Sequence, residues 1–155
     1  MKIFIDEINN VVKNAFEELG YERETGKVNV SNRPDLCQYQ CNGALANAKK
    51  HKKAPMIIAQ EVVEKLNDNN MFSKLEAVAP GFINMNVNDE FLIEYVNKMN
   101  KDENFGVSKA TEVKKIVVDY GGANVAKPLH IGHLRSAIIG ESIKRIAKFL
   151  GHNVV

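Results

Sequence analysis

Cysteine and proline are scarce in this 155-residue chain, and it contains no long apolar run. Cys37 and Cys41 are the only cysteines, which argues against a disulfide framework. A structural zinc site needs four ligands, and no second Cys or His pair stands at suitable spacing, so no metal site is expected. Reduced core thiols are the expectation, in keeping with a reducing compartment. No block approaches the ~20 apolar residues of a membrane span. The N-terminus opens on an amphipathic segment with Asp6 and Glu7 rather than on a secretory leader, so no membrane association is expected and the location expected is the cytoplasm. Internal repeats and low-complexity stretches are lacking as well.

Net charge is also small, only +2, but it is unevenly spread. Residues 1–110 carry 14 basic and 16 acidic side chains, whereas 111–155 carry 7 and 3. The positive excess therefore belongs to the C-terminal segment. In the first part the one basic run is Lys49-Lys50-His51-Lys52-Lys53, which suits either a solvated helix end or a contact with an RNA backbone. What the chain does have is 45% hydrophobic residues, enough to bury a sizeable core at this length.

Phe4, Ile8, Val11, Val12, Ala15, Phe16 and Leu19 recur at helical spacing and predict a helix over 2–19, stopped by Gly20. A strand near 26–30 and another over 36–41 flank the turn Asn32-Arg33-Pro34-Asp35, with Cys37, Tyr39 and Cys41 on one face of the second and Gln38 and Gln40 on the other. A short helix over 44–53 follows, then one opened by Pro55. Residues 75–79, the turn Pro80-Gly81 and residues 82–87 read as a hairpin with strict alternation in its second strand. Ile83, Met85 and Val87 then share the buried face. Phe82, Asn84 and Asn86 fall on the face expected to be solvated, where a ring beside amides can stack on an unpaired base while the amides read its edge. The alternative is a phenyl ring that merely covers the sheet edge or tucks under a neighbouring helix. A helix over 90–101 and the polar break 102–106 close this part.

The run 114–120 is a β-branched block suited to a parallel strand covered on both faces. Gly121-Gly122 ends it, and a loop leads through Lys127 into His130-Ile131-Gly132-His133 and an amphipathic helix with Ile139, Ile143, Ile146 and Leu150 on one face. Strand, loop and helix start place backbone N–H groups and a positive helix end together, where α/β sheets bind phosphates. Both imidazoles can donate to phosphate oxygens, Gly132 keeps no side chain in the way, and Lys127 adds a flexible cation. The set fits displacement at phosphorus, in which positioning and electrostatics do most of the catalysis. Alternatively, the two histidines serve only to cap the helix and a turn.

The stretch Val118-Asp119-Tyr120-Gly121-Gly122-Ala123-Asn124-Val125-Ala126-Lys127-Pro128-Leu129-His130-Ile131-Gly132-His133-Leu134-Arg135-Ser136 resembles the signature region of arginyl-tRNA synthetases, class I enzymes whose first nucleotide-binding motif is His-Ile-Gly-His. Gly121-Gly122 departs from the Ser-Ser or Ser-Ala of many relatives. The segments Ala79-Pro80-Gly81-Phe82-Ile83-Asn84 and Tyr39-Gln40-Cys41-Asn42-Gly43-Ala44 resemble the additional N-terminal domain of that family, which holds the D-loop corner of the tRNA.

The resemblance implies an α+β N-terminal tRNA-binding module over 1–106 and, over 107–155, the first βα unit of a Rossmann-like class I nucleotide-binding domain, truncated. It also implies that Lys127, His130, Gly132 and His133 serve ATP, with Lys127, His130 and His133 catalytic, and that Asp119 and Asn124 hold arginine. Phe82 and Asn84 would contact the tRNA, with Lys49 and Lys50 as candidate backbone contacts. The implied substrates and partners are arginine, its tRNA, and ATP with its magnesium. The chain reads as an N-terminal fragment of a monomeric ligase, inactive by itself and prone to self-association through an unfinished sheet. Two other readings stand beside it: another HxGH nucleotidyltransferase, and a stand-alone RNA-binding module with a decayed motif.

Overall fold

The computed structural model describes residues 4–122 and 126–155. They form two units, one ending at Asp102 and one spanning Glu103–Val155. The first contains helix α1 (Phe4–Glu18), a 3-10 turn (Arg23–Gly26), strands β1 (Val28–Val30) and β2 (Tyr39–Cys41), helices α2 (Gly43–His51) and α3 (Pro55–Leu66), strands β3 (Phe72–Val78) and β4 (Phe82–Val87), and helix α4 (Asp89–Lys101). The four strands make one antiparallel sheet in the order β1-β2-β4-β3.

Its core follows from the two periodicities. Ile8, Val12, Ala15 and Phe16 lie along one stripe of α1, and Ile58, Ala59, Val62 and Leu66 along one stripe of α3. Both stripes join a cluster with Val28, Cys41, Ile83, Met85 and Val87 from the sheet. Pro55 at the start of α3 sets the chain direction without wasting a hydrogen-bond donor. Helix α4 begins at Asn88, whose side chain accepts from the Glu90 N–H at 3.0 Å. It contributes Phe91 and Tyr95 to Phe4, with ring centroids 6.0 and 4.8 Å away.

The start of α2 is locked to the 3-10 turn by one amide. Asn47 is 1% exposed. Its Nδ2 donates to Thr25 Oγ1 at 2.6 Å and to the Gly43 carbonyl at 3.0 Å, while Oδ1 accepts from the Glu22 N–H at 3.2 Å. A Cβ on Gly43 would overlap the Thr25 carbonyl oxygen, so the approach is closed to larger residues.

Three expectations for this unit need correction. The second strand starts at Tyr39, not at residue 36, because the N–H groups of Leu36 and Cys37 both bond the Arg33 carbonyl, at 2.9 and 3.2 Å, and are lost to the ladder. For the same reason Cys37 does not share a strand face with Tyr39 and Cys41. It is buried under the turn, with Sγ 3.4 Å from Ser31 Oγ, whereas Cys41 lies in the main core, and both thiols are free. Asn84 does alternate away from the core, yet it is only 8% exposed rather than solvated: it is bonded to Gln40 and faces a cavity that the 31–37 turn also lines.

The second unit holds strand β5 (Lys115–Ile116), helix α5 (Ile131–Phe149) and strand β6 (Asn153–Val154), with β5 and β6 parallel. The expected strand over 114–120 is shorter than predicted, although a bond from the Val118 N–H to the Val155 carbonyl at 2.9 Å carries the pairing one step further. Ile116, Val118 and Tyr120 are half-buried, while Val117 and Asp119 are exposed, Val117 at 73%. The strand is therefore covered on one face only. Tyr120 lies across α5 at Gly140, where an added Cβ would overlap the ring. Ile139, Ile143 and Ile146 on α5 remain half or more exposed. No helix among the described residues is long and apolar enough to cross a membrane.

Two outcomes are expected. Asn47→Ala leaves buried donors and acceptors unpaired, so it should destabilise the first unit by about 1–3 kcal/mol in urea titrations; an unchanged midpoint would show the amide to be dispensable. Hydrogen exchange should find the amides of β5 and β6 far less protected than those of β4, because one face of their ladder is open.

Candidate functional site

Of the concave sites among the described residues, one in each unit holds candidate site residues. In the second unit, a groove of about 480 Å³ is lined by Gly121, Leu129, His130, Ile131, His133, Leu134 and Ala137. His130 is the N-cap of α5, and its Nδ1 accepts from the Gly132 N–H at 3.1 Å. His133 Nδ1 reaches back to accept from the His130 N–H at 3.2 Å, so the two rings form a reciprocal capping box. Their centroids are 4.1 Å apart.

The capping is observed, and it is compatible with the other sequence reading. An Nδ1 that accepts must be unprotonated, so each neutral ring carries its proton on Nε2, on the far side from the backbone. Both histidines thus cap the helix with one nitrogen and keep an N–H donor on the other. Gly132 is needed for the cap itself: a Cβ there would come within 2.8 Å of His130 Cε1. Lys127 is exposed in the loop three residues ahead of His130, and Asp119 is exposed on the face of the β5 segment opposite Tyr120. Asn124, with Ala123 and Val125, lies outside the described residues, whereas Ala126, Pro128 and Leu129 are exposed in the loop.

Tyr120, not singled out in the sequence, anchors this geometry. Its hydroxyl donates to Glu141 and accepts from Lys144 at 3.2 Å, and Arg145 pairs with the same carboxylate at 2.8 Å. The Tyr120 bond first, then those of Arg145 and Lys144, hold the Glu141 carboxyl down at about 2. The sequence signal for this seat is the glycine within the helix, Gly140, one residue before a carboxylate.

In the first unit, a cavity of about 610 Å³ lies on the sheet face opposite the core, between the 29–37 turn and Gln40, Asn42, Val78, Phe82 and Asn84. Phe82 is half-buried there and is absent from the main core cluster. Across the β2–β4 ladder Gln40 Nε2 donates to Asn84 Oδ1 at 2.9 Å. Farther along the same face, Asn86 Oδ1 accepts from the Gln38 N–H at 2.9 Å and Gln38 Oε1 from the Val87 N–H at 2.8 Å. Asn86 is thus tied to the sheet. Gln40 went unremarked in the sequence as a cavity residue; only the pairing register of 39–41 with 83–85 would have revealed it.

The basic run is partly neutralised. Lys50 pairs with Glu22, and Lys53 pairs with Glu61 and donates to the Tyr21 hydroxyl at 3.1 Å. Lys49 is exposed in the last turn of α2, with its charge at the favourable end of the helix dipole.

Residues 95–155 match the family model described as tRNA synthetases class I (R), catalytic domain. That sets the class of the second unit's parent domain: a class I aminoacyl-tRNA synthetase. Residues 4–87 match the model described as arginyl tRNA synthetase N terminal domain, and the chain belongs to the arginyl-tRNA synthetase family.

An arginine–tRNA ligase of Alkaliphilus oremlandii (strain OhILAs) is 52% identical over 155 residues, covering 100% of this chain and 26% of that protein. One of Agathobacter rectalis is 54% identical over 156 residues, with 100% and 26% covered. The chain thus spans about a quarter of the length of these curated relatives. In fold it resembles the arginyl-tRNA synthetase from Plasmodium falciparum, with a TM-score of 0.63, 24% identity, and 99% of this chain and 30% of that one covered. The Thermus thermophilus enzyme gives 0.54 at 22% identity, with 99% and 24% covered.

The Glu141 carboxyl yields a pH prediction. Its folded-state value is depressed, so the Tyr120–Glu141 link contributes fully above the ordinary carboxylate range near 4.5 and is lost as pH falls toward about 2. A carbon-13 titration of the Glu141 carboxyl should find a midpoint well below the ordinary carboxylate value near 4.5. A midpoint at that ordinary value would remove this anchor.

Proposed function

We propose that this chain carries the tRNA-holding module and one end of the ATP site of an arginine–tRNA ligase. The second unit is then the opening βα unit of a Rossmann-like catalytic domain. In the reaction, the arginine carboxylate attacks the α-phosphorus of ATP, the bond to the bridging oxygen of the β-phosphate breaks, and pyrophosphate leaves. A ribose hydroxyl at the tRNA 3′ end then attacks the arginyl carbonyl and AMP departs. The observation that carries this reading is the pair of Nδ1-capped imidazoles, each with an Nε2–H left to donate beside the start of α5.

On this reading His130 and His133 donate to the triphosphate, most strongly as charge builds on the pentacovalent phosphorus. The bare backbone at Gly132 lets the nucleotide approach, and Lys127 reaches the α-phosphate. Magnesium arrives as part of the ATP substrate, on its phosphate oxygens. Asp119 faces away from α5, free to pair with a guanidinium or ammonium group of arginine, and Asn124 is the proposed second arginine contact. In the first unit Phe82 stacks on an unpaired tRNA base, Asn84 reads its edge, and Lys49 and Lys50 meet the backbone, Lys50 by exchanging Glu22 for phosphate.

The tests separate the two units. By itself this chain should give no arginine-dependent exchange of pyrophosphate into ATP, because donors at one end of the phosphates do not close the site; exchange above background would contradict it. In an intact enzyme of this sequence, His133→Ala should slow adenylation roughly 10²–10³-fold and weaken ATP binding much less. Titration of this chain with arginine tRNA should show Phe82→Ala to bind roughly ten- to a hundredfold more weakly, as base–aromatic stacking is worth ~1–3 kcal/mol. An early thermal melt with unchanged binding would instead make Phe82 a packing residue.

A further inference from the structure

We infer that Gln40 is the positioning and specificity-determining residue of the Phe82 cavity: by donating to Asn84 Oδ1 it fixes which end of the Asn84 amide a base meets. The inference rests on the reading of that cavity as a nucleobase pocket and deepens it.

An asparagine amide is ambident. Its oxygen and nitrogen are nearly equal in size, so a half-turn about the last side-chain bond exchanges an acceptor for donors at little steric cost. A lone Asn84 would therefore offer either group and discriminate poorly. The antiparallel register places Gln40 directly opposite Asn84, and the 2.9 Å bond from Gln40 Nε2 occupies the Asn84 oxygen. Asn84 Nδ2 is left to donate and Gln40 Oε1 to accept, side by side on the cavity wall that also holds Phe82.

Two further amides on this face, Gln38 and Asn86, are used differently, while Asn29 stands on the other side of Gln40 in the same cross-strand row. The carbonyl groups of Gln38 and Asn86 are bound to backbone N–H groups, and neither residue lines the cavity. Among the described amides of this face, only the Gln40–Asn84 pair is joined side chain to side chain, with a donor and an acceptor left over. Its ligand is a nucleobase stacked on Phe82 whose edge sets an acceptor against Asn84 and an adjacent donor against Gln40. An edge with that pair reversed or blocked is rejected, since it would leave the amides unpaired.

The experiment compares Gln40→Glu with Gln38→Glu in titrations of this chain with arginine tRNA. Both variants add one negative charge on the same sheet face. In Gln38→Glu the new carboxylate retains the bond that the amide oxygen made, as acceptor from the Val87 N–H. In Gln40→Glu the new carboxylate cannot donate, and it turns the Asn84 amide so that its oxygen faces the base. Gln40→Glu should bind roughly tenfold or more weakly than Gln38→Glu, and the neutral Gln40→Met roughly three- to tenfold more weakly than the unaltered chain. Equal affinities for the two glutamate variants overturn the proposal. Should either Gln40 variant melt early, nitrogen-15 spectra of the unaltered chain decide: tRNA must shift the side-chain amides of Gln40 and Asn84 and leave those of Gln38 and Asn86 in place, and any other pattern overturns it. If Phe82→Ala binds as the unaltered chain does, the nucleobase reading fails first, and with it this one.

Discussion

Strand β4 is hydrogen-bonded along both edges, to β2 and to β3. Its register is thereby set twice, and a slip of one residue would carry Ile83, Met85 and Val87 out of the core while driving Asn84 and Asn86 into it. Burying two amides without partners costs far more than any local gain could return. The arrangement of the first unit's outer sheet face follows from that constraint: Phe82 has to lie opposite the core, and Asn84 has to meet Gln40. The cavity is a by-product of a core that can pack in one register only, walled by a turn whose own hydrogen bonds end β2 early.

The second unit is organised by a different contact. A two-residue parallel ladder is too short to hold a helix in place by itself, and the Tyr120 ring on Gly140 does so instead. That contact fixes the phase of the segment after β5: with Tyr120 turned to α5, alternation turns Asp119 the other way. Glu141, Lys144 and Arg145 then satisfy the hydroxyl at the helix surface. Such exposed ion pairs add little stability of their own; their effect is directional, since they keep the ring across the helix rather than along it.

Much of this was legible in the chain because period and punctuation agree. Helix α1, the Pro55 helix, the 82–87 alternation and the His-Ile-Gly-His helix start all combine a hydrophobic period with a proline, glycine or cap at the boundary. What was not legible is non-local. Residues 36–38 have a strand pattern, but the Arg33 carbonyl takes the amides that a strand would use. Asn84 alternates outward, yet it lies in a cavity that residues 31–37 help to line, and no period within β4 encodes that cavity. The shortness of β5 has the same origin: Ile116, Val117 and Val118 have the propensity for a longer strand, but a strand is as long as its pairing partner, and β6 supplies two residues and one further bond.

Both candidate sites solve one chemical problem in the same way. Imidazole and carboxamide each carry two unlike ends, and a binding site needs to know which end its ligand will meet. Near α5 the backbone N–H groups of His130 and Gly132 occupy the Nδ1 atoms, so that Nε2 is left as a donor. In the β2–β4 ladder the Gln40 amide occupies Asn84 Oδ1, so that Nδ2 is left as a donor. Each lock uses a hydrogen bond the fold must make anyway, an N-cap in one case and a cross-strand pair in the other, so the directionality adds no strain. The second imidazole at the third helical position completes the reciprocal cap and the long amide opposite Asn84 completes the cross-strand pair, and in both places the structural bond leaves a donor with a fixed direction.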